Sequence, residues 1–353
     1  MKISQAVHGS TTLTHTHGCG HVGADKDHVL RIMTGFCSNP NVAGVLLVGN
    51  GCELITPDVM AEQLAKTGQT FEIVNVQEEG GTTATVEKGK KLARKMQREA
   101  AKLQREPIDI SELTIGLKCG GSDTLSGLTA NPALGMASDM IVKQGGTVIM
   151  SEIPEIIGAE KVLARRAIND EVKSRILKIT ADMEASILAM GVDVRGSEPS
   201  PGNIAGGLTT LEEKSLGAIL KGGKTPVTQV VNYAQKPTKN GLIVMDGPAM
   251  DAVCATGFNA AGAQIVMFTT GRGTPLGSPI APVIKIATNN SIFQHMRDNI
   301  DLNAGGILDG KDTILSVGKK IYKEIIEVAS GKLTCSEELG HNEFAIYTIG
   351  PAV

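Results

Sequence analysis

Leu113-Thr-Ile-Gly-Leu117 runs directly into Lys118-Cys-Gly-Gly-Ser-Asp123, and that junction decides the fold. A short apolar run that gives way at once to glycines and polar groups reads as a buried strand followed by a loop. The same pattern recurs in both directions, at residues 43–48, 71–76, 147–150, 242–245, 264–268 and 283–287. Helical spacing of apolar residues fills the intervals, most clearly at 57–66, 84–105, 160–190, 211–220 and 314–329. Strands that alternate with helices imply parallel pairing. The expected class is therefore α/β, with two domains of mainly parallel, Rossmann-like sheets flanked by helices. A length of 353 residues suits two cores. The charged helix ends near Glu106-Pro107 and a strand follows, so the expected domains are residues 1–107 and 108–353. Residues 196–207 hold two Pro and four Gly, too many for a regular element, and read as an ordered loop.

Composition narrows the function. Hydrophobic residues at 41% and charged residues at 20% are those of a folded globular chain. A net charge of -3 supplies no basic field for a polyphosphate backbone, which excludes nucleic acid as a partner. No run of eighteen apolar residues occurs and the first fifteen residues lack an apolar signal core, so neither a membrane span nor secretion is expected and the location is cytoplasmic. In a reducing compartment the six Cys are core thiols, metal ligands or reactive groups. With 42 Gly and 3% aromatics, a polar ligand fits better than an apolar one.

Chemistry collects where the strands end. Asn50, Cys52 and Glu53 follow the first run, Cys119, Ser122 and Asp123 the third, Ser151 and Glu152 the fourth, and Asp246 and Asp251 the fifth. Thr269, Thr270, Arg272 and Thr274, interleaved with Gly271 and Gly273, follow the sixth. In open parallel sheets the ligand crevice lies outside the carboxyl ends of the strands, so these clusters should converge there. Arg272 offers a planar fork for a carboxylate or sulfonate; a structural ion pair is the alternative. Lys285 and Lys118, at strand ends, would serve as general base or anion partner once desolvated. His15-Thr-His17-Gly-Cys19-Gly-His21 sets three imidazoles and a thiol within seven residues, as a metal site or a catalytic loop. Cys19, Cys52 and Cys119 each adjoin Gly; three thiolates could hold a 4Fe-4S cluster with one open iron, and small buried hydrophobes are the plainer reading. No strand is followed by Gly-x-Gly-x-x-Gly, no phosphate loop opens with the required Gly, and no Gly-x-Ser-x-Gly elbow occurs. Dinucleotide binding and serine hydrolysis are therefore disfavoured.

Longer motifs carry a resemblance. Gly116-Leu-Lys-Cys-Gly-Gly-Ser-Asp123, Ser126-Gly-Leu-Thr-Ala-Asn-Pro-Ala-Leu-Gly135 and Ser151-Glu152 resemble the core signature of the altronate/galactarate dehydratase family. So do His17-Gly-Cys-Gly20, Gly51-Cys-Glu53, Pro201-Gly-Asn203, Gly206-Gly-Leu208, Thr269-Thr-Gly-Arg-Gly-Thr-Pro275 and Gly340-His-Asn342, which together cover nearly the whole chain. The resemblance implies iron-dependent dehydration of a sugar acid such as altronate or galactarate to a 2-keto-3-deoxy acid. A related large subunit instead cleaves sulfolactate to pyruvate and sulfite, and a non-catalytic metal-binding subunit is a further alternative. Iron is implied on Cys19, Cys52 and Cys119, as a three-Cys 4Fe-4S cluster or as mononuclear Fe(2+). The catalytic candidates are His15, His17, Asp123, Glu152 and Lys285. The candidates for binding a small hydroxy acid are Ser122, Asn131, Asp246, Thr269, Thr270 and Arg272. Full-length sugar-acid dehydratases of this family carry a small β-clip (SAF-like) domain ahead of the region seen here. A separate small subunit that supplies it is the expected partner, and a homo-oligomer is expected.

Overall fold

A computed structural model of the chain describes residues 1–350. β1 (Val45–Gly49) and β2 (Phe71–Asn75) pair in parallel as a two-stranded sheet. The larger sheet is built from β3 (Thr114–Cys119), β4 (Thr147–Met150), β5 (Val227–Asn232), β6 (Gly241–Asp246), β7 (Ile265–Thr270), β8 (Val283–Ala287) and β9 (Leu302–Asn303). Its order is β5-β6-β4-β3-β7-β8-β9, and every neighbouring pair is parallel. The expected parallel α/β class is thus what the chain adopts. Two strands escape the apolar-run criterion. β5 carries Thr228 and Gln229 on an edge, and β9 is two residues long.

The longer helices are α1 (Ala24–Cys37), α2 (Pro57–Thr67), α3 (Thr82–Ala100), α4 (Ala130–Lys143), α5 (Asp170–Ala189), α6 (Asp251–Ala260) and α7 (Ile314–Ala329). The expected helix over 160–190 is broken for a local reason. Val227 N donates to Arg166 O (2.8 Å) and Ile168 N to Val227 O (3.0 Å), which ties the chain to β5. Asn169 then caps α5 by accepting from Val172 N (2.9 Å). The irregular stretch over 196–207 contains the short helical turn Pro201–Ala205.

Strand residues alternate between two cores, as period-two geometry requires. Ile115, Leu117 and Val148 pack with Leu134 and Ile141 of α4, Ile176 of α5 and Ile321 of α7. Ile149, Ile243 and Phe268 pack on the other face with Phe258 of α6 and with Ile32 and Phe36 of α1. Each such fully buried side chain contributes about 1.5–3 kcal/mol. α1 therefore lies on the large sheet, although it precedes β1 in the chain. Its contact with α6 is close: a Cβ at Gly35 would fall 2.2 Å from the Ala260 carbonyl oxygen, so Gly35→Ala would force the helices apart.

The register of that contact sets where the amino-terminal loop goes. Gly35 and Ala260 stand at the carboxyl ends of their helices, and seven residues earlier His28 stacks on Tyr233 (5.3 Å), whose hydroxyl donates to Val253 O. α1 and α6 consequently run parallel. The loop before α1 lies at the same end of the sheet as Asp251, which opens α6, and that is the carboxyl end. β4 leaves β3 on one side and β7 arrives on the other, so the strand order reverses between β3 and β7. A ligand crevice belongs at that switch point. Among the described residues no helix is long and apolar enough to cross a membrane.

Candidate active site

The switch point opens into a cavity of about 380 Å³. Lys118 and Cys119 end β3, Gly120, Gly121 and Ser122 follow, and Arg272 arrives from the loop after β7; Glu155, Lys214 and Asp251 complete the charged part of the wall. Arg272 donates from Nη1 to Gly202 O (2.6 Å) and, among the described residues, pairs with no carboxylate. Of the two sequence readings, an anion grip suits this guanidinium better than a structural ion pair.

Behind the wall lies a buried charge network. Glu152, with none of its side chain exposed, accepts from Lys118 Nζ and Lys221 Nζ. Its left-handed backbone (φ 67°, ψ 55°) directs the carboxylate back between the two ammonium groups, at a cost of about 1–2 kcal/mol. Lys118 also reaches Asp251 Oδ1 (2.9 Å), which is 43% exposed on its side chain. Lys221 Nζ donates to Cys119 Sγ (3.0 Å), and that thiol donates to Glu155 Oε2 (2.8 Å). Lys214 Nζ stands 3.6 Å from Glu155 Oε1 and 3.0 Å from Glu198 Oε2. Burial alone would lower Lys118, but the carboxylates of Glu152, Glu155 and Asp251 raise it well above the ordinary lysine value. Lys221 is raised against its burial by the Cys119 sulfur to which it donates and by the carboxylate of Glu152. Burial, reinforced by Glu152 and Glu155, pushes the Cys119 thiol up, so it stays protonated. Burial would raise Glu155, yet Lys118, Lys221 and Lys214 hold it below its ordinary value. Lys221, Glu155 and Lys214 were not singled out in the sequence, where each is an ordinary charged residue.

The remaining candidates divide by what they touch. Ser122 lines the cavity, and its carbonyl accepts from Asn203 Nδ2 (2.9 Å). Asp123 faces a second cavity of about 400 Å³ with Asn289 and His295, and Arg272 forms the border between the two. Its carboxylate accepts from Ser126 (2.8 Å), Thr288 (2.8 Å) and Asn289 (3.2 Å). A Cβ at position 271 would fall 2.2 Å from the Asp123 carboxyl carbon, so glycine is required there. Asn131 and Thr269 bond to each other (2.6 Å), and Thr270 accepts from Gly273 N (2.9 Å). Those three hold the loop after β7 in shape and line neither cavity. Asp246 ends β6 outside both cavities, and burial raises its carboxyl. Lys285 is mid-strand in β8, fully buried, with Nζ donating to Leu276 O (2.9 Å). It does not stand at a strand end facing the crevice, because the strand extends two residues beyond it.

His15, His17, Cys19 and Cys52 form a second group. Leu54 N donates to Gly18 O (2.8 Å), which stitches the histidine loop to the loop after β1, and Glu53 braces the latter by accepting from Asn50 N (3.0 Å), Gly51 N (2.7 Å) and Cys52 N (2.9 Å). Cys19 and Cys52 are exposed thiols on these joined loops. The His17 and His21 rings stack at 4.9 Å, and Nδ1 of each is buried with no hydrogen-bond partner. His21 is 8% exposed. Burial first, then the neighbouring imidazoles, lowers His15 and His17 below the ordinary histidine value, so both rings are neutral near pH 7. His21 was not among the sequence candidates, although it closes the same seven-residue stretch.

These two groups answer a metal differently. Cys119, Glu152 and Glu155 are the one set among the described residues whose donor atoms, at least three, all lie within 4.8 Å of one another, a spacing that could hold an ion. Their charges, however, are already matched by Lys118 and Lys221, which an entering cation would have to displace. The histidine loop offers the opposite: buried imidazole nitrogens without partners beside two exposed thiols, a donor set suited to a transition metal. Cys119 shares neither cavity nor donor group with Cys19 and Cys52.

A parallel α/β sheet whose switch point holds an unmatched guanidinium over a carboxylate-ammonium network is an arrangement suited to a small polar anion. Residues 110–352 match the family model described as D-galactarate/Altronate dehydratase, C-terminal, and residues 3–101 match D-galactarate dehydratase/Altronate hydrolase, second domain. The chain belongs to this family of lyases. It is 39% identical over 343 residues to altronate dehydratase of Bacillus subtilis, covering 96% of this chain and 67% of that protein. It is 41% identical over 333 residues to galactarate dehydratase (L-threo-forming) of Escherichia coli, covering 91% and 63%. With (2R)-sulfolactate sulfo-lyase subunit beta of Chromohalobacter salexigens it shares 36% over 346 residues, covering 98% and 88%. The chain thus spans about two thirds of the length of the two dehydratases and most of the sulfo-lyase subunit.

Proposed function

We propose that the protein is the catalytic part of an iron-dependent hydro-lyase that dehydrates a sugar acid, of the altronate or galactarate kind, to a 2-keto-3-deoxy acid. The observation that carries this reading is the guanidinium of Arg272, free of carboxylates in a polar cavity that also holds Lys118, Lys214 and Asp251. Arg272 grips the substrate carboxylate and Ser122 meets its hydroxyls. Asp251, the most exposed carboxylate of the network, takes the proton α to that carboxylate, replacing His15, His17 or Lys285 as base. Lys118, held protonated, and Lys214 stabilise the negative charge that develops as the proton leaves. Loss of the β-hydroxyl gives an enol, which becomes the keto acid. His17 and His21, with Cys19 and Cys52, would hold the metal, which when bound supplies Lewis-acid assistance to the departing hydroxyl.

Six free thiols suit a cytoplasmic enzyme, and the domain division at residues 107–108 belongs to the same proposal. One relative is named as a subunit and matches this chain over 88% of its length, which favours a separate small partner chain and supports a sulfo-lyase as the second reading. The test is turnover of altronate, galactarate and sulfolactate by oxygen-free protein with Fe(2+), alone and with a candidate small chain. A 2-keto acid formed without sulfite and abolished by chelation is the expected result. Sulfite release selects the second reading, and activity that survives chelation overturns the metal requirement.

A further inference from the structure

Lys285 is a buried lysine that the proposed chemistry leaves unused. It lies in the middle of β8, and its Nζ donates to the carbonyl of Leu276 (2.9 Å), a short step along the chain from Arg272. The N–H of the same peptide unit, on Gly277, donates to Glu343 Oε2 (2.7 Å). One peptide plane is therefore gripped at both ends, its carbonyl by a lysine and its N–H by a carboxylate, each suited to the end of the peptide dipole that it meets. We propose that Lys285 and Glu343 are positioning residues, which hold this plane so that the loop after β7 presents the Arg272 guanidinium to the anion cavity. The inference rests on the reading of Arg272 as the grip for the substrate carboxylate.

The plane can act as a fixed point because both of its anchors are themselves held. Lys285 is fully buried, and its backbone N donates to Asp301 Oδ2 (2.7 Å). Glu343 belongs to the carboxyl-terminal segment, where Phe344 packs edge-on to Phe36 of α1 (4.9 Å) and Ala345 N donates to Thr256 Oγ1 of α6 (3.2 Å). That segment abuts the turn, since a Cβ at Gly277 would fall 2.4 Å from the His341 carbonyl oxygen. Rotating the plane would break both bonds at once and leave the buried Lys285 Nζ without its acceptor, so the cost falls on every other conformation of the turn. From the plane back towards Arg272 the loop is tied in short steps, Leu276 N to Thr274 Oγ1 (3.2 Å) and Gly273 N to Thr270 Oγ1 (2.9 Å). Among the described residues the Arg272 side chain makes one hydrogen bond, to Gly202 O, so the aim of its guanidinium depends on where the loop stands.

Titration calorimetry of altronate, galactarate and sulfolactate into the full chain, with chelator present to prevent turnover, identifies the acid that binds most tightly, and that acid is carried through the variants. Glu343→Ala, in a half-buried segment, is the first variant and Lys285→Met the second; each should weaken the acid about fivefold or more. Glu343→Gln keeps an acceptor for Gly277 and should stay within about twofold of wild type. Added to Arg272→Met, Glu343→Ala should cost less than about twofold more, because a positioning residue acts only through the group it positions. A structural defect would subtract the same factor in both backgrounds, and that result overturns the inference. Hydrogen exchange of the ligand-free chain reads the loop without any acid. The amides of Gly271 and Gly273 should exchange at least about tenfold faster in Glu343→Ala than in Glu343→Gln. Equal rates, or undiminished acid binding by Glu343→Ala, overturn the positioning role while leaving Arg272 as the grip. Failure of all three acids to bind the wild-type chain, with the exchange difference intact, overturns the acid site and not the anchored plane.

Discussion

The network around Cys119 and the loops around His21 use similar donors and reach opposite electrostatic states. In the first, thiol and carboxylates are buried with ammonium groups that match them; in the second, two imidazole Nδ1 atoms are buried with nothing to bond. Donor spacing alone would choose the first as the metal centre. Charge reverses the choice, because a cation entering the Cys119 group must displace lysines that already stabilise it, whereas one entering the histidine loop relieves two unpaired nitrogen atoms. Proximity of ligand-type atoms is thus a weaker guide to a metal than the state of their partners.

The largest effect that would break this comparison is on stability. Lys221→Met should destabilise the chain by about 3–5 kcal/mol, because it leaves Glu152 buried with one fewer ammonium partner. Urea unfolding measures it. A loss below about 1 kcal/mol would mean the network is hydrated and its charges are not interdependent. Next comes metal affinity. His21→Ala should weaken Co(2+) or Fe(2+) binding by at least about tenfold, while Cys119→Ser should leave both stoichiometry and affinity unchanged. The reverse pattern, read from the visible and near-ultraviolet bands of the Co(2+) protein, would move the metal to the buried set.

How much of this the residues announce depends on whether a role is local. The strand ends were legible because an apolar run followed by Gly and polar groups is a short-range pattern, and Arg272 and Cys119 did meet at one cavity. β5 was not, since Thr228 and Gln229 interrupt its apolar run at the sheet edge. α4 and α6 are buried over most of their length and so lack the polar face that marks helical spacing. Lys221 shows the deeper limit. In Leu-Lys-Gly-Gly it reads as a solvated lysine, and only a contact with Cys119, 102 residues away, turns it into a buried charge. Asn131 and Thr269 failed in the other direction. Each looks like a substrate contact, yet each completes the other's hydrogen bonding. Motif residues can serve the loop that presents the site without touching what the site holds.

A third histidine sharpens the contrast: His28 Nε2 is likewise buried without a hydrogen-bond partner, but the groups packed on this ring are the aromatic rings of Tyr233 and Tyr347. His28 on α1 packs against Tyr233 (5.3 Å) and edge-on to Tyr347 (4.5 Å). Over the same helix start, Asp25 accepts from Ile349 N (2.6 Å) and Gly350 N (2.7 Å), fastening the end of the described chain to α1. Burial first, then Arg31, lowers His28 from 6.5 to about 4. Between those values the unfolded chain binds a proton that the fold refuses, so stability must fall as pH drops from 6.5 to about 4. Water near the ring trims the ideal shift, leaving about 1–2 kcal/mol over the window. His28→Phe keeps the ring contacts and should flatten that part of the urea-midpoint profile. Bound metal should leave the His28 slope unchanged, since this ring is enclosed by Tyr233 and Tyr347. A slope that survives the substitution would assign the proton to the His15–His21 loop instead and erase the distinction between the two kinds of buried imidazole.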